Sequence, residues 1–195
     1  MSVSTPLFVK ARQARRCASL LAVLLLLAAP GQAAITEYEL KAALLFKISK
    51  FVRWPAVAPA ASVGNPLRLC ILGRDDFGGN IDSLAGQTVQ GQAIVIERLP
   101  RRDQSASHCQ IAFISRSEQE RVPAVLKTIA NSPVLTMSDI EGFAAQGGMV
   151  ELATSAGKIA FRINPDASRR AGLEIGAQLL QLATLVGGSP GEAGR

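Results

Sequence analysis

Leu67-Arg68-Leu69-Cys70-Ile71-Leu72-Gly73 is the stretch whose reading decides the fold. A short run with an apolar end, closed by a glycine, reads as a buried strand and as the centre of a sheet. After it, Asp75 to Asn80 forms a turn, and Ile81 to Leu84 a short helix closed by Gly86. Ala93 to Leu99 sets Ile94 and Ile96 against Val95 and Glu97, the alternation of a second strand. A polar loop opens at Arg101-Arg102-Asp103, and Gln110 to Ser115 is an apolar third strand. Ser115 and Glu118 have capping-box spacing and open a helix that runs to about Ala130. Pro133 to Ser138 is a fourth strand.

Strands that alternate with helical or loop connections favour a mostly parallel sheet with helices on both faces. The pattern then changes. Met149 to Thr154 and Lys158 to Asn164 flank the turn-like Ser155-Ala156-Gly157, which predicts an antiparallel hairpin. The expected fold is therefore α/β: a single domain whose mixed, mostly parallel sheet ends in a C-terminal hairpin. Asn164 caps a last helix, with Pro165 at its favoured first position. That helix carries Leu173, Leu179, Leu180 and Leu182, and Gly172 and Gly176 on one side would let another backbone approach. It ends at Gly187-Gly188, and Ser189 to Arg195 is a tail.

Before the central strand, Pro55 to Pro66 reads as a connecting loop. Ahead of it, Thr36 to Trp54 reads as one helix, with Thr36 and Glu39 at capping-box spacing and Pro55 ending the run. Leu40, Leu44, Ile48 and Phe51 form its apolar stripe, widened by Leu45 and Val52, with Lys47, Lys50 and Arg53 at the solvent edge. It holds the only Tyr and the only Trp of the chain, Tyr38 and Trp54.

Lys10, Arg12, Arg15 and Arg16 precede an apolar run from Cys17 to Ala29, followed by Pro30-Gly31-Gln32-Ala33-Ala34. Basic start, short apolar middle and small residues describe a Sec-type signal peptide over 1–33, cleaved near Ala33/Ala34. The run is short of the roughly 20 residues of a membrane-spanning helix. Four basic residues leave with it, which takes the formal net charge from +6 to near +2. The basic balance is therefore no argument for nucleic acid, and aromatics are too few for a base-stacking platform. Residues 34–195 suffice for one domain with a real core.

Export leaves Cys70 and Cys109. They are either a structural disulfide or two free thiols, and the oxidising compartment favours the bond. Closing about 40 residues would stabilise by roughly 3–4 kcal/mol.

Catalytic patterns are scarce. His108 is the only His, and chain neighbours such as His108 and Cys109 seldom present both groups productively. One His and two pairing cysteines leave no tetrahedral metal set. Gly73-Arg74-Asp75-Asp76-Phe77-Gly78-Gly79 follows a strand as phosphate loops do, but lacks their Gly-Lys-Ser/Thr ending, and its acids would repel phosphate. The reading is a non-enzyme with no cofactor.

The order and spacing of several stretches resemble the YfiR family of periplasmic proteins. They are Tyr38 to Lys47 with Phe51-Val52-Arg53-Trp54-Pro55, Cys70 to Phe77, and Cys109 to Ser115. Pro133-Val134-Leu135-Thr136 with Asp139 and Gly142-Phe143, Gly147-Gly148-Met149, Ile159 to Asn164 and Ala171 to Ile175 follow. The resemblance implies a periplasmic repressor. It would bind the sensory domain of YfiN, an inner-membrane diguanylate cyclase, and hold down cyclic-di-GMP and biofilm formation. YfiB, an outer-membrane lipoprotein, would sequester it. It further implies a homodimer, a bridge at Cys70 and Cys109, and an association with small aromatic ligands. A periplasmic small-molecule-sensing domain acting on another membrane signalling protein is the alternative. Some relatives carry a second cysteine pair, which this chain lacks. With no catalytic set elsewhere, Phe51, Arg53 and Trp54 at the far end of the first helix are the candidate partner-binding residues, with Leu44 and Ile48 as stability controls.

Overall fold

The computed structural model describes residues 35–55, 65–100, 104–130, 132–155 and 158–187. The signal peptide expected over 1–33, most of the Pro55–Pro66 loop, Arg101-Arg102-Asp103, Ala156-Gly157 and the tail from Gly188 lie outside the described residues. Along the chain run α1 (Glu37–Ser49), β1 (Val52–Arg53), β2 (Leu67–Leu72), α2 (Gly79–Asp82), β3 (Thr88–Val89) and β4 (Gln92–Leu99). Then come β5 (Ile111–Ile114), a 3-10 helix (Arg116–Arg121), α3 (Val122–Ile129), β6 (Leu135–Ser138), β7 (Val150–Ser155) and β8 (Lys158–Ile163). The chain closes with α4 (Pro165–Arg170), β9 (Glu174–Ile175), α5 (Ala177–Leu182) and β10 (Thr184–Leu185).

β2 has a parallel neighbour on each side, β4 and β5. The main sheet runs β10-β8-β7-β6-β5-β2-β4-β3. β5, β6 and β7 continue parallel, whereas β7–β8 and β3–β4 are antiparallel. The mixed α/β fold and its C-terminal hairpin are as the sequence predicts. Every residue of β5 is buried, as in strands covered on both faces. The alternation of β2 splits the core. Leu67, Leu69 and Ile71 meet Ala42, Leu45 and Ile48 of α1 on one face. Cys70 and Leu72 meet Val122, Val125 and Ile129 of α3 on the other.

Three expectations need correction. First, the helix expected over Thr36 to Trp54 stops at Ser49, with Val52–Arg53 in a strand, and α1 is turned by about one residue. Its buried face is Lys41, Ala42, Leu45, Ile48 and Ser49, while Leu40 and Phe51 are exposed and Leu44 is half-buried. Lys41 goes inward because Asp139 waits there to pair with it. Second, the Ser115 cap does not open an α-helix. Its hydroxyl accepts from Ser117 N, and a 3-10 helix precedes α3. Pro123 occupies the first turn of α3, where its missing N–H costs nothing; further inside a helix it would clash with the preceding turn.

Third, the last helix is broken. Asn164 caps α4 through Ala167 N, but α4 stops at Arg170. Gly172 lies at φ +71°, its N–H bonds Arg169 O, and Leu173 N bonds Ser168 O, which is the Schellman closure. The chain then returns as β9, antiparallel to β1 in a separate two-stranded sheet.

Candidate functional site

The capping box that starts α1 is complete. Glu39 N donates to Thr36 Oγ1 at 3.2 Å, and Thr36 N to Glu39 Oε2 at 3.4 Å. At the other end the chain leaves Lys50, turns at Phe51 and enters β1. Val52 pairs with Ile175 and Arg53 with Glu174. Gly176 N donates to Phe51 O at 2.8 Å, and a Cβ on Gly176 would stand 3.2 Å from that oxygen. The close backbone approach read at this glycine therefore exists, but against a strand entry and not along a helix. Gln90, from the β3–β4 turn, donates to Val52 O at 2.5 Å.

These segments enclose a groove of about 520 Å³ lined by Lys50, Phe51, Arg53, Gln90, Glu174 and Ile175 among others. Phe51 is 40% exposed on its wall. Arg53 and Glu174 approach at 3.9 Å with both side chains about four-fifths exposed, a pairing worth little in itself. Trp54 is not a lining residue. Its Nε1 donates to Gln110 O at 3.3 Å, and its ring packs on the core below. Of the three candidate residues, two share the groove and one anchors the strand's exit. The groove offers an aromatic wall and a rim with more cations than anions. An exposed aromatic face beside mobile charged side chains suits the seating of an apolar group with an acidic neighbour.

A second constellation was not legible in the sequence. Lys41, fully buried, places Nζ 2.6 Å from Asp139 Oδ2 and 2.5 Å from Glu37 Oε1. Tyr38 donates to the same Oδ2 at 3.2 Å, and Arg116 Nε also stands 3.2 Å from it. Asp139 Oδ1 is buried with no hydrogen-bond partner among the described residues. Burial first, and the Asp139 charge second, push the Tyr38 phenol up to about 12. The hydrogen bond from Lys41 holds the Glu37 carboxyl below its ordinary value, although burial opposes it. Lys41 also lies 4.4 Å from the Tyr38 ring centroid, and Tyr38, Phe77 and Phe113 form successive edge-to-face pairs into the core. The group closes on itself and borders none of the cavities described. It fastens α1 to the end of β6.

Cys70 and Cys109 are bonded, with Cα atoms 6.1 Å apart and a sequence separation of 39. The bridge is buried and joins β2 to the turn that leads into β5. Its surroundings are those of a structural link under α3.

Residues 38–184 match a family model described as DUF4154, YfiR/HmsC-like. The match takes in both sides of the groove, the Lys41–Asp139 pair and both bridge cysteines. The chain belongs to the YfiR/HmsC-like family.

Proposed function

We propose that the protein is a periplasmic negative regulator that binds the sensory domain of a YfiN-like inner-membrane diguanylate cyclase and suppresses cyclic-di-GMP synthesis and biofilm formation. Family membership supports a periplasmic regulator of diguanylate cyclase signalling at the level of the family. The single observation that carries the reading is that this match runs through the whole groove between β1 and β9. A partner would seat an apolar side chain against Phe51 and an acidic one near Arg53 and Lys50. Trp54 contributes by holding β1 in place. No helix among the described residues is long and apolar enough to cross a membrane. Export through the 1–33 signal peptide, a homodimer and sequestration by a YfiB-like lipoprotein belong to the same proposal and rest on the resemblance.

The test is a pull-down and titration with the periplasmic domain of the neighbouring cyclase. Phe51→Ala and Arg53→Glu are expected to cost about 2 kcal/mol of binding each, roughly thirtyfold in Kd, with melting unchanged. Leu45→Ala and Ile48→Ala serve as stability controls and cost about 2–5 kcal/mol of folding. Leu45 replaces Leu44 in that role because Leu44 is half-buried. Absence of binding by the unaltered protein, with cyclic-di-GMP unchanged on gene deletion, overturns the reading.

A second reading, small-molecule sensing on behalf of another membrane signalling protein, is favoured by a recess of about 310 Å³ between α3 and α4. Leu126, Met149 and Ala167 line it, with Lys127 and Arg170 at its wall. Recesses of this size suit small ligands. Aromatic metabolites should then raise the melting temperature, and unchanged melting across a broad panel counts against it.

A further inference from the structure

The Cys70–Cys109 bridge has two more metal-binding side chains beside it. His108 Nε2 stands 3.8 Å from Cys109 Sγ. The two sulfurs and the imidazole nitrogen all lie within 4.8 Å of one another. Glu97 is the register partner of Cys70 on the adjoining strand β4, and both of its carboxylate oxygens lie 3.1 Å from the same Nε2. Two sulfurs, an imidazole and a carboxylate thus occupy one spot, delivered by two neighbouring parallel strands and the turn before a third.

Zinc-like cations take thiolate at about 2.3 Å, imidazole at about 2.0–2.1 Å and carboxylate at about 2.0–2.2 Å in tetrahedral array. Ligand atoms in such a site are roughly 3–4 Å apart. The nitrogen–oxygen separations and that from the nitrogen to Cys109 Sγ already fall in that range, and Cys70 Sγ lies within 4.8 Å of the same nitrogen. The sulfurs are too close, because they are bonded to each other. The backbone would have little to change. Cα atoms 6.1 Å apart leave room for two thiolates on one ion.

We propose that reduction of the Cys70–Cys109 bridge creates a tetrahedral site for a zinc-class divalent cation, with Cys70 Sγ, Cys109 Sγ, His108 Nε2 and a Glu97 oxygen as ligands. The reductant is a dithiol. It supplies two electrons and two protons, its own sulfurs close to a disulfide, and Cys70 and Cys109 become thiols. The cation then displaces both thiol protons. His108 and Glu97 are partly exposed, at 48% and 31% of their side chains, and form the entrance, while the sulfurs form the buried wall. Arg68, 3.6 Å from Glu97 Oε2, is itself exposed and neutralises the second carboxylate oxygen. Binding would couple redox state to metal occupancy in the bridge that ties β2 to β5. The inference is independent of which partner, if any, the groove binds.

Cobalt(II) titration of the oxidised protein, and of the protein reduced with a dithiol that is then removed without air, tests it. Reduced protein should develop thiolate-to-cobalt charge-transfer and tetrahedral ligand-field bands that saturate at one equivalent and vanish on adding zinc. Oxidised protein should develop none. His108→Ala and Glu97→Gln should each weaken metal binding by more than about tenfold, the least expected for loss of a direct ligand. Circular dichroism in parallel should show zinc restoring stability to the reduced protein but not to the oxidised one. Reduced protein that develops no charge-transfer band, whether folded or not, overturns the proposal. So does a band undiminished in His108→Ala, which would mean thiols binding metal on their own.

Discussion

Lys41 is the side chain whose removal should cost the fold most for its size. Lys41→Ala leaves the Asp139 carboxylate buried and without its shortest ionic partner, a loss of about 3–5 kcal/mol measured by urea unfolding. Replacing both at once, Lys41→Met with Asp139→Leu, should be milder than the two single losses added, because no charge is then stranded. Tyr38 gives a second expectation with a definite sign. Its phenol is raised to about 12 in the fold, against an ordinary value of 10.0. The stability it contributes is present in full below pH about 10 and is lost as pH climbs from there through about 12. As the chain's only Tyr, it can be followed by phenolate absorbance. The native midpoint should lie well above that of the urea-unfolded chain, and Tyr38→Phe should remove the alkaline stability loss in this window. Neither residue was legible as a site in the sequence. Periodicity weighs hydrophobicity, so it placed Leu40 inward, whereas the group that makes burial of Lys41 tolerable lies 98 positions away.

At the level of elements, the bridge between β2 and the β5 approach should be worth about 3–4 kcal/mol. Reduction in the presence of a chelator should lower the denaturant midpoint accordingly, with the slope changed if the reduced unfolded chain is less compact. The elements that sequence reading found are those with their own local signal. Thr36 and Glu39 carry a capping box, β2 and β5 are apolar runs, and β7 and β8 alternate around a turn. The ones it missed are β1, β3, β9 and β10, two residues each. So short a strand has no period to read, and it exists because a partner backbone is alongside. β3 left one trace, Gln90-Gly91, whose positive φ angles of 51° and 81° make the two-residue turn that opens β4. The broken last helix leaves another, Gly172, whose work is to end α4 and not to admit a neighbouring backbone.

On the scale of the whole molecule, the groove depends on segments from opposite ends of the chain. One part of its wall follows α1, a larger part follows α4, and Gln90 comes from the turn between β3 and β4. This is why the candidate residues were legible only in part: the Phe51–Trp54 end of α1 marks itself by composition, but Glu174 and Ile175 sit in a stretch that reads as helix. The regulatory reading makes its own whole-molecule expectation. Deleting the gene should raise cellular cyclic-di-GMP, and the Phe51→Ala protein, folded and exported, should fail to restore it. The pairing of β1 with β9 also sets an order of events during folding. The first strand among the described residues has its partner near the last, Glu174–Ile175 for Val52–Arg53. A contact so distant in sequence slows the search and makes β1 wait for the chain behind it. A nascent protein halted before Glu174 would leave the edge of β1 unpaired beside the exposed Phe51, so the chain offers that open edge to holding chaperones, or to proteases, until synthesis is almost over.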